Sequence, residues 1–162
     1  MSLPTWLAAG WLQPHKTSRA EIRELWEIVD RDLADAASGG ISADWQYGIA
    51  YNAALKLCAI LLYATGYKPA KGAMAHSRTL NALPHILGSS RQGDADYLEG
   101  CRQKRNTVEY DHAGGATRKD AEELMLPATN YARRCWRGCA KNSLASRRSE
   151  AAISARSQTS VP

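Results

Sequence analysis

The sequence predicts an all-α fold, an up-and-down bundle of about five helices. Three observations carry that expectation. Apolar residues recur at helical spacing as far as about residue 140; Gly- and Pro-containing stretches punctuate them; and no run alternates apolar and polar residues as a half-buried strand would. Phe is absent, and Trp, Leu and Ala fill the apolar positions, which suits a helical core. At 162 residues, 44% hydrophobic and 23% charged, the chain has the size and composition of one soluble domain with a real core.

The first bundle helix is expected to begin at Ser18. There "SRAE" reads as a capping box with Glu21. Ile22, Leu25, Trp26, Val29, Leu33 and Ala36 follow on one face, with Glu24, Glu27 and Arg31 opposite, until "SGG" at 38–40 ends it. A second helix runs from about Ala43 to Thr65 and stops at Gly66. Ile49, Ala50, Ala53, Ala54, Leu57, Cys58, Leu61 and Ala64 make its main face, and Leu55, Ile60 and Leu62 extend the apolar surface nearly all round. Such a helix belongs in the middle of a bundle or against a partner, with Asn52 as a buried polar group needing a backbone or cross-helix partner.

"GYKPAKG" reads as a loop, and a third helix spans roughly Ala73 to Leu87. Pro84 implies a kink or a short second piece. After the loop "GSSRQG", a fourth helix covers about Asp94 to Asp111. A fifth starts behind Gly115 with Thr117 as its cap and fades near Asn142. The expected organisation is an N-terminal arm at 1–17, the bundle at 18–141 and a basic Ser/Arg-rich tail at 142–162.

The net charge of +5 is unevenly spread. Seven of the 21 basic residues lie from Arg133 onward, against Glu150 alone, which leaves 14 basic and 15 acidic residues before them. The body is near neutral and the C-terminal end could attract a polyanion. The longest apolar run, Ala54 to Tyr67, is interrupted by Lys56 and falls short of the roughly 20 residues of a bilayer span. The N-terminus lacks the basic start of a signal peptide. Cys58, Cys101, Cys135 and Cys139 read as reduced core thiols. A cytoplasmic protein without a membrane segment, metal or cofactor is therefore expected. Cys135 and Cys139 could join His76 or His85 around a metal, but the tight loop spacing of a zinc site is missing. His76 otherwise reads as a surface histidine, and the five tryptophans as mostly core. Trp6 and Trp11 could clamp the arm over a partner or over the domain's own groove.

The most polar stretch is "CRQKRNTVEYDHAGGAT", residues 101–117. Arg105 and His112 are seven residues apart and so share one helical stripe, about two turns from each other. Leu98, Cys101 and Arg102 lie on the same stripe, so Arg105 is on the apolar side of its helix. A guanidinium there requires a counter-ion or an interface. Glu109, four residues on, is one counter-ion at hand, and His112 suits a helix C-terminus. The other reading is chemical. Histidine exchanges a proton near neutral pH, and arginine holds a phosphate through two hydrogen bonds. Together they could promote attack of a ribose 2′-hydroxyl on its own phosphate without a metal, with Asn106 as a neutral hydrogen-bonding neighbour.

"RNTVEYDH" near the end of a fourth helix resembles the HEPN superfamily (higher eukaryote and prokaryote nucleotide-binding domains). The signature of that family is Arg, four to six residues, then His, often with a polar residue directly after the Arg. Arg105, Asn106 and His112 match it at the longest spacing. "AYNAALKLCAILLYATGY" looks like the family's long second helix and "AHSRTLNAL" like its third, so the similarity spans about residues 18–140. The resemblance implies a homodimer with two Arg/His pairs facing one cleft, and metal-independent endoribonuclease activity of toxin type. Arg105 and His112 would be catalytic, and Arg102, Asn106 and Tyr110 would contact substrate. A nucleotidyltransferase-type antitoxin is the implied partner. The family also includes members that only bind nucleotides or RNA, or dimerise. One toxin subgroup reads Arg-x4-His-x-Tyr. Here Tyr110 precedes His112 and lies about 140° round the helix from Arg105, so the part that tyrosine plays in the subgroup as a modification target does not carry over.

Overall fold

In the computed structural model the structure describes residues 2–110 and 114–125, with 109 and 110 through their backbone only. The described chain is mostly helical, as periodicity implies. Its elements are α1 (Leu3–Ala8), β1 (Leu12–Pro14), α2 (Arg19–Ala37), α3 (Ala43–Ala64), β2 (Tyr67–Pro69), α4 (Ala75–Asn81), α5 (Leu83–Leu87), a 3-10 turn at Ser89–Arg91 and α6 (Gln92–Tyr110). Residues 118–125 are again helical.

Local chemistry sets most of these limits. The Ser18 hydroxyl accepts from the Glu21 amide at 3.1 Å, capping α2. The Glu21 carboxylate accepts from Thr17 at 2.7 Å and meets the His15 ring at 2.9 Å, so the start of α2 is tied to the chain before it. Ser42 caps α3 in the same way through the Trp45 amide. At the far end Gly66, with φ +88°, takes the left-handed turn that releases the chain toward β2. Pro84 sits in the first turn of α5, where its missing N–H costs nothing, and so divides the third predicted helix into α4 and α5.

Helix α3 is central. It packs along α2 and also touches α4, α5 and α6. Ala50, Ala53, Ala54, Leu57, Cys58 and Leu61 are buried, and so are Leu55, Ala59, Ile60 and Leu62 on its other sides. Among the described residues it is the one helix long and apolar enough to cross a bilayer, and 67% of that apolar window is buried inside the fold. Asn52 finds its cross-helix partner in Asp32 of α2, a nearly inaccessible carboxylate that also accepts from Arg31 at 2.6 Å. Replacing Asn52 with leucine removes that donor while the carboxylate stays buried. Urea unfolding is expected to show a loss of about 1–3 kcal/mol.

Two features depart from the sequence reading. A small antiparallel pair joins β1 to β2 in the register Leu12↔Pro69, Gln13↔Lys68 and Pro14↔Tyr67, flanked by bonds from His15 N to Gly66 O (2.8 Å) and from Ala70 N to Trp11 O (2.9 Å). Three residues per strand are too few to display alternation, and each strand carries a proline at its end, which is why "GYKPAKG" reads as plain loop. The tryptophans also divide. Trp6 is buried with Leu3, Leu12, Leu62 and Ala82, and Trp26 is half-buried. Trp11 and Trp45 are exposed, the latter by 66%, because Gln46 and Tyr47 take the inward positions of the first turn of α3. Trp136, Cys135, Cys139 and the tail at 142–162 lie outside the described residues.

Candidate functional site

Helix α6 carries Arg102, Arg105 and Asn106, and its inward stripe changes character along its length. Ala95, Leu98 and Cys101 are buried. Arg102 and Arg105, the next positions on the same side, are half-buried. The apolar face thus becomes a cationic one as the helix proceeds. Arg102 is held by Glu99, one turn earlier, with Nε and Nη2 donating to the same carboxylate oxygen at 2.9 and 2.8 Å. The other oxygen of Glu99 is buried and, among the described residues, accepts no hydrogen bond. Arg105 Nη1 donates to the side-chain oxygen of Asn106 at 3.4 Å, a long bond. His112 lies outside the described residues, as do the side chains of Glu109 and Tyr110.

Two other helices bring groups to this stripe, since α3, α4 and α6 all pack on one another. From α3 comes Tyr51, whose ring is buried and whose hydroxyl has no hydrogen-bond partner among the described residues. Burial pushes the phenol far up from its ordinary value, while Arg102 and Arg105 pull it back. From α4 comes His76, with its ring centroid 6.3 Å from that of Tyr51. Partial desolvation lowers the pKa of His76, and the charges of Arg105, Lys56 and Arg102 lower it further. The influence of Arg105 therefore reaches both Tyr51 and His76. Of the residues singled out in the sequence, Arg102, Arg105 and Asn106 share this region; Tyr51 and His76 are groups on which the arginine charges act and which the local motif did not reveal.

The opposite flank of α6 is built as a clamp. Tyr47 donates to the Cys101 carbonyl at 3.4 Å, and the Lys104 ammonium sits 5.5 Å from the centre of the Tyr47 ring. Lys104 also pairs with Asp120 at 2.7 Å, and that carboxylate caps the next helical segment by accepting from the Thr117 amide and hydroxyl. Asp44, in the first turn of α3, accepts from the amides of Gly114 and Ala116 at 2.5 and 2.9 Å. The segment that follows the Arg–His stretch is thereby anchored to the bundle across 70 residues of sequence. Burial holds the Cys101 thiol above its usual range and Tyr97 is pushed up to about 12, so neither is an ionised nucleophile near neutral pH.

The clamp has a pH limit. Lys104 and Thr117 lower Asp120 to about 2, and the two backbone amides lower Asp44. A carboxylate depressed in the folded state stabilises fully above its unfolded pKa and loses that contribution as pH falls through the folded value. Amide exchange at Gly114 and Ala116 is therefore expected to accelerate as pH drops below about 4, after correction for intrinsic rates. Asp44→Ala should bring the same loss of protection at neutral pH; protection unchanged in that variant would contradict the anchor.

Cys58 and Cys101 are buried free thiols, and among the described residues no three of His, Cys, Asp and Glu gather as a metal site. Comparison with protein-family models, with curated proteins and with solved structures finds no match. The functional reading accordingly rests on the residues themselves.

Proposed function

We propose that this chain is a HEPN-like helical domain that binds RNA through phosphate and cleaves it without a metal, acting as a homodimer. Arg105 would hold the phosphate and offset the charge gained during the reaction, and His112 would transfer the proton. Asn106 and Arg102 would assist in binding, with Tyr110 as a further substrate contact. The observation that carries this reading is the inward stripe of α6, where buried Leu98 and Cys101 give way to half-buried Arg102 and Arg105. Cations on the packed side of a helix are costly unless an anion or interface meets them. Glu99 is such an anion for Arg102, and an RNA phosphate would be a further one for the stripe.

The resemblance in "RNTVEYDH" and the bundle architecture support the same reading, and a nucleotidyltransferase-type antitoxin would then be the cognate partner. The test is cleavage of single-stranded RNA in EDTA by the purified protein beside Arg105→Ala and His112→Ala. Chelator-resistant cleavage lost in both variants supports the proposal, and equal background in all three overturns the enzymatic part. A second reading, a nucleotide- or RNA-binding dimerisation module without catalysis, is favoured by one observation. The charges of Arg105, Lys56 and Arg102 all act on His76 of α4, whatever the imidazole of His112 does. Binding without cleavage would select it.

A further inference from the structure

We propose that the face around Trp11 is a docking surface for single-stranded RNA, on which an unpaired base stacks while Arg78, Lys68 and Lys71 hold neighbouring phosphates. The surface is built from β1, β2 and α4 and uses none of the α6 residues, so it does not depend on the cleavage proposed above.

Trp11 is held at the surface without being buried. Its ring meets that of buried Trp6 edge-on, with centroids 5.5 Å apart, and the Arg78 guanidinium of α4 lies 5.9 Å from its centre. Trp6 is in turn met by the His85 ring at 4.9 Å. The indole is thus fixed by a buried ring and by α4, yet 36% of it stays exposed. Met74, one turn before Arg78, is 53% exposed. The backbone brings two lysines to the same place. Ala70 N donates to Trp11 O at 2.9 Å, which sets exposed Lys71 next to the tryptophan's backbone partner. Gln13, alternating with buried Leu12, stands opposite Lys68 in the strand pair, so both belong to its outer side. None of Lys68, Lys71 and Arg78 pairs with a carboxylate among the described residues.

The elements around Trp11 come from two stretches that contain no carboxylate. Residues 1–20 hold Lys16 and Arg19, and residues 45–93 hold Lys56, Lys68, Lys71, Arg78 and Arg91, with no Asp or Glu in either. Together they supply α1, β1, β2, α4 and α5. The carboxylates at their borders are engaged, Glu21 by His15 and Thr17 and Asp94 by Arg91. This part of the surface therefore favours a polyanion. A flat π-face among cations suits a single strand, because the ring accepts any base while the cations follow the backbone. Arg78 adds a second planar group on which a base can stack. Duplex RNA fits less well, since its bases are already stacked within the helix. An anionic bilayer calls for apolar side chains that stand out far enough to enter it; Trp11 lies too flush against Trp6 and Arg78 for that.

Fluorescence anisotropy of a labelled 2′-O-methyl oligouridylate with the full chain tests the surface, beside an abasic strand of equal length and charge. Methylation prevents cleavage by the strand's own 2′-hydroxyl. The wild type should prefer the oligouridylate by about tenfold; Trp11→Ala should lose that preference and Trp11→Tyr should keep most of it. Lys68→Gln combined with Lys71→Gln should weaken both strands alike and reduce the slope of log affinity against log salt by about 1.4, two contacts at about 0.7 each. Thermal melts check that the packing on Trp6 survives, and Arg78→Gln, which leaves both indoles in place, should weaken binding even where Trp11→Ala melts early. Failure of the wild type to bind at low salt would overturn the surface. So would Trp11→Ala and lysine variants that bind like the wild type; if Arg105→Ala then abolishes binding, the α6 reading stands alone. Binding with these losses but no cleavage supports the surface and removes only the enzymatic reading. Capture of the wild type by phosphatidylserine–phosphatidylcholine vesicles, with no oligouridylate bound, would overturn it in favour of a membrane.

Discussion

On the proposed ribonuclease reading, Arg105→Ala is expected to lower metal-independent RNA cleavage by about 10²–10³-fold, the cost of losing one donor aimed at developing charge. Single-turnover cleavage in EDTA measures it. Arg105 lies half-buried on the packed side of α6, where water screens its charge less than on an open surface, and this supports the proposed role. The split between binding and rate identifies what it does. If Arg105 only holds the ground-state phosphate, oligonucleotide affinity and kcat/KM fall together while kcat stays level; if it meets charge that grows in the transition state, kcat falls as well. Arg105→Lys separates these further, since an ammonium keeps the charge but loses the two-pronged geometry. Arg102→Ala should act differently. Its guanidinium is already engaged by Glu99 at 2.8 Å, and removing it leaves a half-buried carboxylate without its donor, so stability should fall alongside binding. Cleavage that survives Arg105→Ala intact would end the catalytic proposal.

Trp6→Ala should produce the largest loss of stability among these substitutions, about 3–5 kcal/mol and so roughly a 10 °C fall in Tm. Trp6 is 6% exposed, in contact with the core group of Leu3, Leu12, Leu62 and Ala82, and its ring meets those of Trp11 at 5.5 Å and His85 at 4.9 Å in edge-on fashion. The indole N–H is buried with no acceptor among the described residues. That omission already costs the native state part of what the ring contributes, so the lower end of the range is expected. Trp45→Ala is the internal control: 66% exposed, it should change stability by no more than about 0.5 kcal/mol. Thermal melts followed by circular dichroism compare the two. Equal, mild effects would mean that the first fourteen residues do not pack as described.

Helix limits were largely readable in the sequence because they are set by neighbours a few residues apart. Ser18 caps α2 through Glu21, Gly66 turns the chain out of α3, and Pro84 starts α5. The face assignments follow for the same reason. Spacing alone puts Arg102 and Arg105 on the side of Leu98 and Cys101, and marks α3 as a helix buried nearly all round. The β1–β2 pair was not readable, since strands of three residues carry no period and their pairing joins positions about 55 apart. Trp45 misled in the other direction, because hydrophobicity says which residues gain from burial and not which of three consecutive first-turn side chains obtains it.

What the amino-acid sequence determined by itself is therefore the helices from α2 to α6, though not α1 within the expected N-terminal arm, the apolar face of each, and the presence of an arginine on the packed side of α6. What only the tertiary structure decided is the company that arginine keeps. Tyr51 of α3 and His76 of α4 both feel its charge, and Asp44 reaches across 70 residues to the backbone that follows it. The physical reason is one of range. Capping and periodicity act within a turn or two of the chain, whereas the partner a helical face meets depends on how whole helices pack, and that is set by burial summed over many side chains at once.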